Sequence, residues 1–156
     1  MKIINAIVYL LGLFMTAMCL LGKNNVLFCV LSIPGVILIN SVIHEAGHVA
    51  GCIAHHLKIN EVATPLFSYR NQKLQLNASL RPISYCSFQN PEKCAEVYLM
   101  GPVFSLINLI LAEWLIPSSA YKMPLIIAAF ITLIINAVPY RNNDMAVYLK
   151  YRKRDS

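Results

Sequence analysis

The sequence predicts an all-α polytopic membrane protein: about four transmembrane helices, with a small cytoplasmic-side β-hairpin between the second and third. Three observations carry this expectation. Of the 156 residues, 58% are hydrophobic and only 13% are charged, against about 25% charged in an ordinary soluble domain. The mean hydropathy is +0.59. The basic residues behind the formal charge of +6 flank long apolar runs instead of gathering into one patch, which is how membrane proteins place positive charge. Disordered, coiled-coil, collagen-like and nucleic-acid-binding classes fit these figures poorly. A single membrane-embedded domain over 1–156 is expected.

The first span is expected over 3–21. It begins after Lys2, contains no charge and has no small-x-small cleavage site near its end, so it reads as a retained anchor. The second is expected over 26–57. A helix of that length would run about 48 Å at ~1.5 Å per residue, beyond the ~30 Å hydrocarbon core. Either Pro34-Gly35 kinks it or its end protrudes. The third and fourth spans are expected over 95–116 and 123–140. Between the second and third lies the one long polar segment, 58–93. There Phe67-Ser68-Tyr69 and Leu74-Gln75-Leu76 alternate apolar and polar residues around Arg70-Asn71-Gln72, the pattern of a surface hairpin.

Orientation follows from the basic residues. Lys2, the loop residues Lys58, Arg70, Lys73, Arg81 and Lys93, and the C-terminal Arg141, Lys150, Arg152, Lys153 and Arg154 lie on one side of a four-span chain. That makes eleven, against Lys23 and Lys122 on the other. Both termini and the hairpin are therefore expected in the cytoplasm, with Asn77-Ala78-Ser79 on the wrong side for glycosylation. Five cysteines form no Cys-x-x-Cys pair. Cys86 and Cys94 would face a reducing compartment, and Cys19 and Cys29 are expected to pack without bridging.

The chemistry concentrates in His44-Glu45-Ala46-Gly47-His48. Two histidines four residues apart on a helix project from one face and can share a zinc ion, and Glu45 beside the first can reach a reacting water. Imidazole and carboxylate groups following an apolar run are costly there unless they serve a function. A zinc site needs a third protein ligand. Asp144 is the best candidate: it follows the fourth apolar stretch and arrives at the same membrane face as His44. Glu96 and His55 are the rivals. Position 54, where a metzincin would carry its third histidine, is Ala54.

Three segments together are similar to the site-2 protease family of intramembrane zinc metalloproteases. They are His44-Glu45-Ala46-Gly47-His48, Gly101-Pro102-Val103-Phe104-Ser105, and Asn136-Ala137-Val138-Pro139 followed by Asp144. The likeness runs from about Val26 to Tyr148 and is to a minimal member, without PDZ or CBS domain. Two positions depart from the family pattern. Met145 stands where glycine usually follows the aspartate, and Ser105 stands where an asparagine is common, with Asn108 one turn later.

The resemblance implies zinc (Zn2+) held by His44, His48 and Asp144, Glu45 as the catalytic residue, and Asn136, Pro139, Gly101 and Pro102 as substrate-binding residues. It implies hydrolysis of a peptide bond in or near a transmembrane segment of a membrane-anchored protein or peptide precursor. The expected surroundings are the lipid bilayer of a bacterial cell membrane, with no nucleic acid as partner. The alternative is a catalytically inactive relative that binds transmembrane segments as a regulator. A scaffold whose histidines merely pack is a third reading.

Overall fold

The computed structural model describes residues 2–21, 26–76, 84–90, 94–115, 122–139 and 143–152. The sequon Asn77-Ala78-Ser79 and the basic residues Lys23, Arg81, Lys93, Arg141, Lys153 and Arg154 lie outside them. The elements in chain order are α1 (Lys2–Leu20), α2 (Val26–Ala54), β1 (Ile59–Ala63), β2 (Phe67–Arg70), β3 (Lys73–Leu76), β4 (Tyr85–Phe88), α3 (Val97–Leu115), α4 (Lys122–Ala137) and α5 (Asp144–Arg152).

Among the described residues, three helices are long and apolar enough to cross a membrane: α1, Leu27–Ala54 within α2, and Val97–Trp114 within α3. Helix α4 occupies the expected fourth span. Its 16 residues rise only about 24 Å, short of a ~30 Å hydrocarbon core. The helices are arranged as lipid would demand. Large apolar side chains such as Ile7, Phe14, Leu27, Ile107 and Trp114 are exposed, while Asn5, Thr16, Ser32, Asn40, His44 and Glu45 are buried.

Small residues set the helix spacing. A Cβ on Gly12 would fall 3.2 Å from the Gly35 Cα, so α1 and α2 touch backbone to backbone. At that crossing Thr16 donates to the Ser32 carbonyl at 3.4 Å. Further along α2, Gly47 and Gly51 form a small-xxx-small step. A Cβ on Gly47 would meet the Met100 carbonyl of α3 inside van der Waals contact, and one on Gly51 would lie 3.0 Å from the Met100 side chain. Such steps let membrane helices approach closely. Gly47 of the histidine motif is thus a packing requirement.

Helix α2 is unbroken through Pro34 and ends before the expected position 57. Leu57 N–H bonds the Cys52 carbonyl at 2.8 Å and His56 N–H the Ile53 carbonyl at 3.2 Å, with His56 at φ 53°. This is a Schellman stop with histidine in the left-handed position usually taken by glycine.

The expected hairpin is present, but as half of a larger element. Strands β2 and β3 pair around Asn71-Gln72, with Arg70 opposite Lys73. Both turn residues have positive φ, 51° and 60°, as a two-residue type I′ connection requires. The sheet has four antiparallel strands in the order β3-β2-β1-β4. Phe88 of β4 packs in one buried cluster with Cys52 near the end of α2, Cys94, and Val97 at the start of α3. All five cysteines are free. Burial pushes the Cys86 thiol up, so it is protonated and a poor ligand.

Candidate metal centre

His44, Glu45 and His48 are all buried, at 4%, 2% and 3% exposure. They lie on α2 about 27–33 Å from its start at ~1.5 Å per residue, near the far boundary of a ~30 Å hydrocarbon core. Each imidazole is fixed through Nδ1. His48 donates to the Val97 carbonyl at 2.9 Å, and His44 Nδ1 lies 3.0 Å from the Ser105 hydroxyl. A carbonyl only accepts, so a neutral His48 carries its proton on Nδ1 and offers a lone pair at Nε2. That is the tautomer a metal ligand needs.

The two Nε2 atoms converge, 3.2 Å apart, and the Asp144 carboxylate closes the third corner. Its Oδ2 lies 2.7 Å from His44 Nε2 and 3.1 Å from His48 Nε2. Among the described residues, His44, His48 and Asp144 form a group able to hold a metal ion. Lone-pair atoms packed this closely repel one another unless a cation or protons sit among them. A tetrahedral zinc with bonds of about 2.0–2.1 Å sets its ligands roughly 3.3 Å apart, close to the two edges at His48 and longer than the edge between His44 and Asp144. The rivals do not contribute, for both Glu96 and His55 are exposed.

Asp144 reaches the pair because a short helix begins there, an element beyond the four expected spans. Asn143 ties the two helices together. Its side-chain oxygen caps α5 by accepting from Ala146 N–H at 3.1 Å, while its amide donates to the α4 carbonyl of Ile135 at 2.8 Å and to that of Val138 at 2.6 Å. Tyr151 of α5 stacks on Tyr98 of α3 at 6.1 Å, and Tyr98 meets His48 edge-on at 6.4 Å. Burial opposes ionisation of Asp144, but the imidazoles of His44 and His48 that face it outweigh burial and hold the carboxyl below the usual carboxylate range.

Gly101 and Pro102 are buried inside α3. A Cβ on Gly101 would lie 2.7 Å from His44 Nε2 and closer still to His48 Nε2. The glycine keeps the space between the imidazoles open. Glu45 Oε2 is buried with no hydrogen-bond partner among the described residues. Its carboxylate is hydrogen-bonded to the Ser84 side chain. The donor set, the space kept by glycine and the orphaned carboxylate oxygen all suit a hydrated zinc ion. Asn136 lines a cavity adjoining His44, whereas Pro139 is exposed just past α4. Met145 is half-buried in the first turn of α5. It does not keep Asp144 from the histidines.

Val97 and Asn143 are neighbours of the site that the sequence did not single out, and Ser105 stands out there only as a departure from the family pattern. Asn143 carried a usable signal, an N-cap residue directly before an acidic first turn. The Val97 carbonyl has no side-chain signature at all. No protein-family model, characterised protein or solved structure matches this chain.

Proposed function

We propose that this chain is an intramembrane zinc metalloprotease of the site-2 protease type. It hydrolyses a peptide bond in or near a transmembrane segment of a membrane-anchored protein or peptide precursor. One observation carries the reading: a buried Glu45 carboxylate, one oxygen of which has no hydrogen-bond partner among the described residues, adjoins a three-ligand cluster at the end of a membrane-length helix. A purely structural metal site has no use for such a carboxylate, whereas a hydrolase needs a base. His44, His48 and Asp144 hold the ion, and zinc supplies Lewis acidity for water and carbonyl.

The protein groups carry the proton. Glu45 takes a proton from the attacking water as its oxygen bonds to the scissile carbonyl carbon. It then returns that proton to the amide nitrogen as the carbon–nitrogen bond breaks, giving a carboxylate and an amine. Ser105 and the Val97 carbonyl hold the imidazoles in place through these turnover steps. Ser84 immediately precedes β4, the outer strand of the sheet beside α2. A substrate drawn into extended form adds along that edge, main chain to main chain. The sheet and both termini face the cytoplasm, following the charge asymmetry, with the short α4 making the fourth crossing where the bilayer thins to meet it.

The test is cleavage of a transmembrane peptide by the purified, bilayer-reconstituted protein, read by mass spectrometry. Cleavage is expected with the unaltered chain and not with Glu45→Gln, which retains its zinc. Turnover by the variant overturns the mechanism. Zinc and peptide binding without cleavage by either protein makes the chain an inactive regulator instead.

A further inference from the structure

A second polar cluster lies one turn along α2 from His44, toward the N-terminus of the helix. Asn40, 7% exposed, donates to the Thr132 hydroxyl of α4 at 3.3 Å and accepts from the Asn108 amide of α3. Asn136 donates to the Thr132 carbonyl at 3.0 Å. Asn40, Ser41, Ser105, Thr132 and Asn136 line a cavity of about 290 Å³ that opens onto His44. Asparagine is costly at this depth unless it has a role. Helix-to-helix glue alone would close the space between these groups. Here they surround unfilled volume. Among the described residues, the bonds named above use two of the four hydrogen-bonding valences of Asn40 and one of those of Asn136.

We propose that this cavity is a specificity subsite that takes a hydrogen-bonding side chain, of amide or hydroxyl class, from the substrate. The inference rests on reading the neighbouring site as peptide-binding. Asn40 lies about 6 Å from His44 along the helix. An extended chain advances ~3.3 Å per residue, so the recognised residue sits one or two positions from the scissile bond. An apolar side chain placed there forfeits the hydrogen bonds that Ser41 and the remaining valences of Asn40 and Asn136 can supply, and sites built for hydrogen bonding reject apolar analogues strongly.

The test separates this subsite from the protease reading by measuring binding and cleavage independently. A leucine-rich transmembrane host peptide carries one asparagine scanned along its length, and affinities are measured on Glu45→Gln in bilayer discs. At one register the asparagine peptide is expected to bind about 10-fold tighter than the all-leucine host. The preference falls below about 3-fold when Asn40→Leu and Asn108→Leu are introduced together. That pair removes both partners of one bond and leaves neither orphaned. Thr132→Val, which keeps both asparagines, is the second variant should the double replacement fail to fold. A scan without a preferred register overturns the subsite, as does a preference that survives both variants. If the unaltered protein cleaves host and asparagine peptides equally, the subsite falls and the protease stands. A register-specific binding preference without cleavage supports the subsite and sinks the protease.

Discussion

Replacing Gly101 with alanine isolates the metal centre from the fold. In a helix interior, alanine is favoured over glycine by about 1 kcal/mol, so the backbone gains nothing by rejecting the change. The side chain has no room. Its Cβ would stand 2.7 Å from His44 Nε2, where ordinary contact begins at 3.4 Å. The imidazole must retreat by the difference, at least 0.7 Å, and His48 by more. Metal–ligand distances tolerate only about 0.2 Å. Moving either ring also breaks its bond to Ser105 or to the Val97 carbonyl, and disturbing such supports alone costs ~10–100-fold in metal affinity. Gly101→Ala is therefore expected to bind zinc at least ~100-fold more weakly, about 2.7 kcal/mol, with helix content unchanged. Chelator competition measures the affinity and circular dichroism the fold. One equivalent of zinc held within about threefold of the unaltered affinity would refute the proposed location of the ion.

Further expectations concern the supports and the topology. Ser105→Ala removes the partner of His44 Nδ1 and is expected to weaken zinc binding ~10–100-fold by the same chelator competition. Asn143→Ala removes the cap of α5 and its ties to α4. It should lower thermal stability by about 1 kcal/mol and loosen zinc as Asp144 drifts, with unchanged zinc affinity counting against the proposed role of α5. Cysteines engineered at Lys23 and Lys122 should be labelled from outside the cell, while those at Arg70 and Arg152 should not. Labelling at position 70 would put the sheet on the opposite face and contradict the orientation.

Much of the site was legible because its spacing is covalent. His44 and His48 share a helix face through the i, i+4 repeat, and Asp144 could be matched to them by depth along apolar runs. What stayed hidden depends on tertiary contact. Strands β1 and β4 are five and four residues long, and β1 carries Asn60 and Glu61, residues depleted in strands. The pairing of β1 with β2 on one side and β4 on the other comes from the whole sheet. Helix α5 reads poorly because its nine residues are weakly apolar, and packing of Tyr151 on Tyr98 holds it. Gly101 was legible as a motif member, yet its physical reason appears only when α3 faces the imidazoles. The length of α4 went the other way, since an apolar stretch that looks like a span falls short as a helix.

The central claim is that one zinc ion on His44, His48 and Asp144 powers cleavage of membrane-embedded peptide. The most direct measurement returns zinc stepwise to chelator-stripped protein in bilayers while peptide products are counted by mass spectrometry. Cleavage should be absent in the stripped protein and rise linearly to a break at one equivalent. It should stay absent at every zinc level when Asp144 is replaced by alanine. Cleavage that survives stripping, or that Asp144→Ala recovers at the same single equivalent, would contradict the account.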